Sequence, residues 1–191
     1  MQAFLVSIAS IALGELGDKT QLLALILATQ LRRPLAVIAG ILVATLANHL
    51  LAALLGQWAG SLLQPAVLRW ILGLSFLALA VWVLVPDKAD DAPRAADGYG
   101  AFMITISAFF MAEMGDKTQI VALALAAKYR DLLAVVAGTT IGMMIVNIPT
   151  VMLAGHLTRV VPIRWIRIAA ALVYALLGAL TLTGYAGLGI G

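Results

Sequence analysis

The sequence predicts an all-α integral membrane protein whose six transmembrane helices form two inverted three-helix repeats, and three observations carry that reading. The 191 residues are 63% hydrophobic and only 11% charged, with a mean hydropathy of +1.07, outside the range of soluble domains. Six apolar stretches are each long enough to cross a hydrocarbon core of about 30 Å, which takes about 20 helical residues. The heptad Glu15-Leu16-Gly17-Asp18-Lys19-Thr20-Gln21 in the first stretch returns as Glu113-Met114-Gly115-Asp116-Lys117-Thr118-Gln119 in the fourth. Three spans per half is an odd number, so the second half runs through the membrane in the opposite sense.

The spans are expected over residues 3–29, 35–56, 66–85, 100–127, 132–155 and 165–185. Arg32-Arg33-Pro34 closes the first, a Gly, Ser, Gln and Pro turn around residue 60 closes the second, and Lys128-Tyr129-Arg130-Asp131 closes the fourth. Residues 158–164 join the last two. The segment 86–99 carries Asp87, Asp90, Asp91 and Asp97 against Lys88 and Arg94, a solvated linker composition. It divides a first repeat, 1–85, from a second, 100–191, within one compact membrane domain. The halves also agree outside the heptad: Pro34 to Gly40 resembles Leu132 to Gly138, Asn48 falls near Asn147, and Arg69-Trp70 matches Arg164-Trp165. Inverted repeats of this kind are typical of secondary transporters, which bind substrate near the midplane between the repeats.

Composition excludes several classes. With no cysteine, thiolate metal sites, disulfides and thiol nucleophiles are absent. The formal charge of +3 does not signal nucleic acid, because the basic residues stand singly or in pairs at the ends of apolar runs, as a topology signal does. Arg32, Arg33, Lys88, Arg94, Arg159, Arg164 and Arg167 fall on one side and Arg69, Lys128 and Arg130 on the other. The larger set is expected in the cytoplasm, with the linker, which leaves both termini outside. Met1-Gln2 supplies no basic leader and the first stretch holds Glu15 and Asp18, so that stretch is expected to be retained.

The duplicated heptad is the site hypothesis. An acidic or basic side chain near the bilayer centre costs about 2.5–3.5 kcal/mol on insertion scales, so such residues usually mark an ion or substrate path. On a regular helix Glu15, Asp18 and Lys19 share a face, Gln21 borders it, and Thr20 points away. A role for Thr20 therefore needs local unwinding, which Gly17 and its counterpart Gly115 permit. Each copy carries two carboxylates and one ammonium, so the pair leaves two net negative charges for a divalent cation to cancel. The expected ligands are Glu15, Asp18, Glu113 and Asp116, with the amide oxygens of Gln21 and Gln119. Such an all-oxygen set suits manganese, calcium or magnesium. Carboxylates crowded into a low-dielectric site exchange protons for metal, which makes Glu15 and Glu113 the expected proton-coupling groups.

Other readings stand beside this one. The two copies could form an interhelical ion-pair cluster, with Lys117 on the first acidic group and the reverse for Lys19, or the lysines could tune or occupy the site. Asn48 and Asn147 either line the path or bond across helices. His49 could serve as a second proton group, but a lone histidine without a counterpart in the other half reads more often as structural, and His156, near a span end, is weaker still. Met111, Met114, Met143 and Met144 read as packing residues, and Ser10 with Gly14, or Ala108 with Ala112, as small pairs that let helices approach.

At the doubled Glu-x-Gly-Asp-Lys-Thr motif the sequence resembles the GDT-type cation/proton exchangers, a family that includes Golgi manganese and calcium transporters. The resemblance covers essentially the whole chain. It implies manganese transport, with calcium as a second cargo, coupled to protons, with Glu15, Asp18, Glu113 and Asp116 at the ion site and Thr20, Thr118, Gln21 and Gln119 in the motif region. The metal is then cargo, and no cofactor is expected. The chain lacks the long N-terminal region and long central loop of eukaryotic members and looks like a bacterial one, which implies a multi-pass protein of the inner membrane that exports manganese. Three competitors differ in what they require. An exporter of a small organic cation or amino acid needs apolar or aromatic contacts for a carbon skeleton. An intramembrane enzyme would use Asp18 and Asp116 as a carboxylate dyad. A passive channel predicts flux without saturation or proton dependence.

Overall fold

The computed structural model describes residues 1–85, 100–154 and 163–183, excepting the side chains of residues 163–167. The acidic linker 86–99, His156 and Arg159, and the side chains of Arg164, Trp165 and Arg167, lie outside the described residues. Eight helices and no strand occur among those described: α1 (Gln2–Glu15), α2 (Lys19–Leu31), α3 (Pro34–Leu62), α4 (Pro65–Trp82), α5 (Ala101–Glu113), α6 (Lys117–Tyr129), α7 (Leu132–Met152) and α8 (Ile163–Leu182). By length and composition α3, α4 and α7 can each cross a membrane.

The first and fourth apolar stretches, expected as single helices, are each two helices broken inside the heptad. The second stretch runs further than expected, through 29 residues to Leu62. Its expected turn around residue 60 shrinks to Leu63 and Gln64, because Pro65 at the first turn of α4 is what stops the helix. α2 and α6 end alike, on Arg32 at φ 51° and Arg130 at φ 52°, each donating its N–H to the carbonyl four residues back, Ala28 or Ala126. That is a left-handed helix cap.

Packing exchanges helices between the halves. α1 lies on α7, where a methyl at Gly138 would stand 2.6 Å from the carbonyl oxygen of Phe4. α5 lies on α3 in the same manner, with Gly40 against Thr105 and the carbonyl of Phe102. α3 and α7 meet in the middle, and α4 crosses α8 where Gly73 and Gly178 allow close approach. Polarity is arranged with the charge inside. On α3, Leu42, Leu46, Leu50 and Leu54 are exposed along one face, while Thr45, Asn48 and His49 are wholly buried. Apolar outside and polar inside is the arrangement a lipid solvent favours.

Two expectations are corrected here. Lys128, assigned to an outer loop, is buried in the last turn of α6 with its ammonium donating to Thr181 Oγ1 at 3.0 Å. α6 continues past Ala127, and the Lys128 ammonium stands over the rings of Phe76 and Tyr129, so the residue counts as interior rather than as a topology signal. Of the methionines read as packing, Met143 and Met144 are buried, whereas Met111 and Met114 are exposed on the apolar exterior.

Candidate metal centre

Each heptad folds into the same break. Leu16 sits at φ −62°, ψ 114°, Gly17 at φ 78°, and the N–H of Asp18 donates to the carbonyl of Glu15 at 3.0 Å, which is a type II turn. Met114 at φ −65°, ψ 118°, Gly115 at φ 77° and a bond of 3.0 Å from Asp116 to Glu113 repeat it. The third turn position requires positive φ, and glycine alone takes it without strain. Asp18 and Asp116 then become the N-caps of α2 and α6 with extended backbone. Gln21 and Gln119 fold back, their Oε1 atoms each accepting from the N–H of Gly17 or Gly115 at 2.7 Å, much as the third residue of a capping box reaches back.

The break overturns the shared-face picture of Glu15, Asp18 and Lys19. Glu15 closes one helix and Asp18 opens the next, so a regular-helix projection does not apply. Unwinding at glycine, which a role for Thr20 demanded, is present, and Thr20 Oγ1 donates to Glu15 Oε1. Helix carbonyl ends and N–H ends now meet at each break, giving partial charges of both signs to the centre.

Both glutamates are completely buried. Glu15 Oε1 also accepts from Asn147 Nδ2 at 3.3 Å, while Oε2 has no hydrogen-bond partner. Glu113 Oε2 accepts from Thr45 Oγ1 at 3.4 Å, and Oε1, without a hydrogen bond, lies 3.6 Å from His49 Nε2. An orphaned carboxylate oxygen in a dry interior costs its lost solvation, about 1–3 kcal/mol or more, and asks for a partner. The aspartates are engaged differently. Lys117 Nζ lies 3.2 Å from Asp18 Oδ1 and Lys19 Nζ 3.7 Å from Asp116 Oδ1, so the two halves are tied by crossed ion pairs. These are the bonds an interhelical cluster would make, and the glutamates are bonded to neither lysine. Among the described residues no three carboxylate or histidine side chains converge on one metal position.

The asparagines are not equivalent. Glu15 and Glu113 are 98 positions apart, as are Gly40 and Gly138, and by that spacing Asn147 corresponds to His49 rather than to Asn48. The structure agrees: Asn147 faces Glu15 and His49 faces Glu113. Asn48 donates to the Phe110 carbonyl at 3.0 Å and accepts from Gln119 Nε2 at 3.4 Å, and its side chain also stands beside Glu113. Gln21 Nε2 reaches Thr150 Oγ1 at 3.1 Å, and Thr118 Oγ1, the counterpart of Thr20, is buried without a partner. Thr45, Thr150 and Tyr174 did not stand out in the sequence. Tyr174 donates to the carbonyl of Ser10 at 2.7 Å, over Gly14, where any side chain would collide with its hydroxyl. A strict register between the halves would have found the His49 and Asn147 pair; nothing in the sequence marks the other three.

Comparison with known proteins identifies relatives of the chain. The family model described as divalent cation/proton antiporter GDT1 matches residues 3–91 and 101–187. A protein of Vibrio cholerae serotype O1 named "Putative manganese exporter" is 44% identical over 182 residues, covering 95% of this chain and 90% of the relative. No solved structure matches.

Proposed function

The chain belongs to the divalent cation/proton antiporter GDT1 family, a family of membrane transporters, and from that premise we propose that it exports manganese, with calcium as the competing cargo, in exchange for protons. The observation that carries this reading is the pair of wholly buried glutamates, each with one oxygen lacking a hydrogen bond. Such groups are costly to hold unless an ion or a proton occupies them. In this reading α1 with α2, and α5 with α6, are two broken spans that run in opposite senses, and with α3, α4, α7 and α8 they make six spans in two inverted repeats. Both termini lie outside the inner membrane and the linker inside. Glu15, Asp18, Glu113 and Asp116, helped by the amide oxygens of Gln21 and Gln119 and the hydroxyls of Thr20 and Thr118, form one carboxylate centre between the breaks.

The lysines take the part of stand-in cations. Lys117 on Asp18 and Lys19 on Asp116 neutralise the aspartates while no metal is bound, and an arriving dication displaces both ammonium groups. Protons leave Glu15 and Glu113 as the metal arrives, and their return from the other side resets the site, which gives exchange by alternating access. Reconstitution in liposomes under a pH gradient tests this. Manganese flux with an opposite proton flux is expected for the native chain, and a fall of about 100-fold or more, of the order that loss of a key charged group gives, for Glu15→Gln and Glu113→Gln. Unaltered flux in both variants would sink the site; metal flux without proton movement would sink the coupling; preference for an amino acid over every metal would sink the cargo.

A further inference from the structure

His49 breaks the symmetry of the centre at the place where symmetry is most closely kept. At Glu15 of the first half the corresponding residue, Asn147 of the second half, bonds the glutamate through an amide N–H. At Glu113 of the second half the imidazole of His49, from the first half, takes that position beside Asn48; it is wholly buried, and neither Nδ1 nor Nε2 has a hydrogen bond. A buried histidine with a structural role normally uses at least one ring nitrogen in a hydrogen bond. Glu113 Oε1 lies 3.6 Å from Nε2, too far for a hydrogen bond, and is itself without one. Thr45 holds the other oxygen of Glu113 and so leaves Oε1 turned toward the ring. Two ligand atoms on neighbouring positions of a small dication stand about 3 Å apart, given metal–ligand distances of about 2.1 Å. At 3.6 Å the pair is about 0.6 Å wider than that spacing, a gap a small side-chain rotation closes.

We infer that His49 is a nitrogen ligand to the transported cation, paired with Glu113, and that it sets the preference for a transition-metal dication over calcium and magnesium. The inference rests on the metal-transport reading above and changes the ligand set from all oxygen to mixed nitrogen and oxygen. Imidazole suits the later first-row metals best and manganese, at the weak end of that series, less; calcium and magnesium take oxygen almost exclusively, so a single ring nitrogen still tilts the site toward manganese. Among the described residues no third carboxylate or histidine stands with the pair, so the other carboxylates of the proposed centre close on the metal as it draws the two breaks together. The other half, with an amide in place of the ring, offers oxygen only, and the two ends of the centre therefore hold the metal unequally.

The test uses the full chain in detergent with manganese(II) as the probe. Pulsed electron paramagnetic resonance of bound manganese is expected to show imidazole nitrogen coupling in the native protein. The coupling should change from the nitrogen-14 to the nitrogen-15 pattern when histidine alone is labelled, and persist in His156→Gln. His49→Gln should abolish it, lower manganese affinity about tenfold or more, and change calcium affinity less than about threefold. Manganese bound to the native protein without nitrogen coupling, or coupling that survives His49→Gln, overturns the inference while leaving the transport reading standing. Absence of manganese binding to the native protein removes both. Because the labelled native protein decides the ligand by itself, poor folding of His49→Gln does not protect the proposal.

Discussion

The two heptad breaks have the same backbone and different surroundings. Their turn angles agree within a few degrees, and both glutamines brace a glycine N–H at 2.7 Å. Around them the second half differs at every side chain that matters: Thr20 bonds Glu15 while Thr118 bonds nothing, Asn147 stands where His49 does, and Lys117 is buried at 3.2 Å from its aspartate while Lys19 is 22% exposed at 3.7 Å. The backbone of a break is set within four residues, which the duplication copied faithfully. Its electrostatics are set by side chains 64 to 132 positions away in sequence, which differ between the halves.

Substitution in pairs breaks or sharpens this comparison, and the largest difference is expected at the crossed ion pairs. Asp18→Asn takes from the buried Lys117 ammonium the carboxylate it pairs with and should destabilise the protein by about 3–5 kcal/mol. Asp116→Asn releases the longer, partly solvated pair and should cost about 1 kcal/mol or less. Denaturation midpoints in one detergent, measured for both, decide this; equal losses would mean the asymmetry of the pairs has no energetic content.

A smaller contrast is expected at the threonines. Thr20→Val removes a buried hydrogen bond to Glu15 and should cost about 1–3 kcal/mol, whereas Thr118→Val replaces a hydroxyl that bonds nothing and should be neutral or slightly stabilising. A matched loss in the second variant would place a bonding partner on Thr118. The smallest contrast is expected at the glycines, where the backbones are alike. Gly17→Ala and Gly115→Ala each force a side chain to positive φ and should cost about 1–2 kcal/mol apiece, with little difference between them. A large difference would show that one turn is held by its neighbours rather than by its own sequence.

Much of this was legible in advance. The Glu-x-Gly-Asp order is the signature of a turn followed by a helix start, and the glycine as a cause of unwinding could be read from Thr20 alone. What misled was treating the stretch as continuous helix, which placed Glu15, Asp18 and Lys19 on one face and gave no sign that the glutamine oxygens also brace the glycine N–H groups. Lys128 was misplaced for a related reason: a basic residue at the end of an apolar run reads as a membrane boundary, and only the packing of α6 against α4 and α8 shows it buried.

The sequence by itself determined the helical class, the lipid-like exterior, the duplication and the position of both breaks, because hydropathy and turn preference act over a few neighbouring residues. The tertiary structure decided that each lysine crosses to the other half's aspartate, and that Asn147 meets Glu15 while an imidazole joins an amide at Glu113. Those pairings depend on how helices from the two halves interlock, and a side chain's partner across such an interface is fixed by packing rather than by its place in the chain.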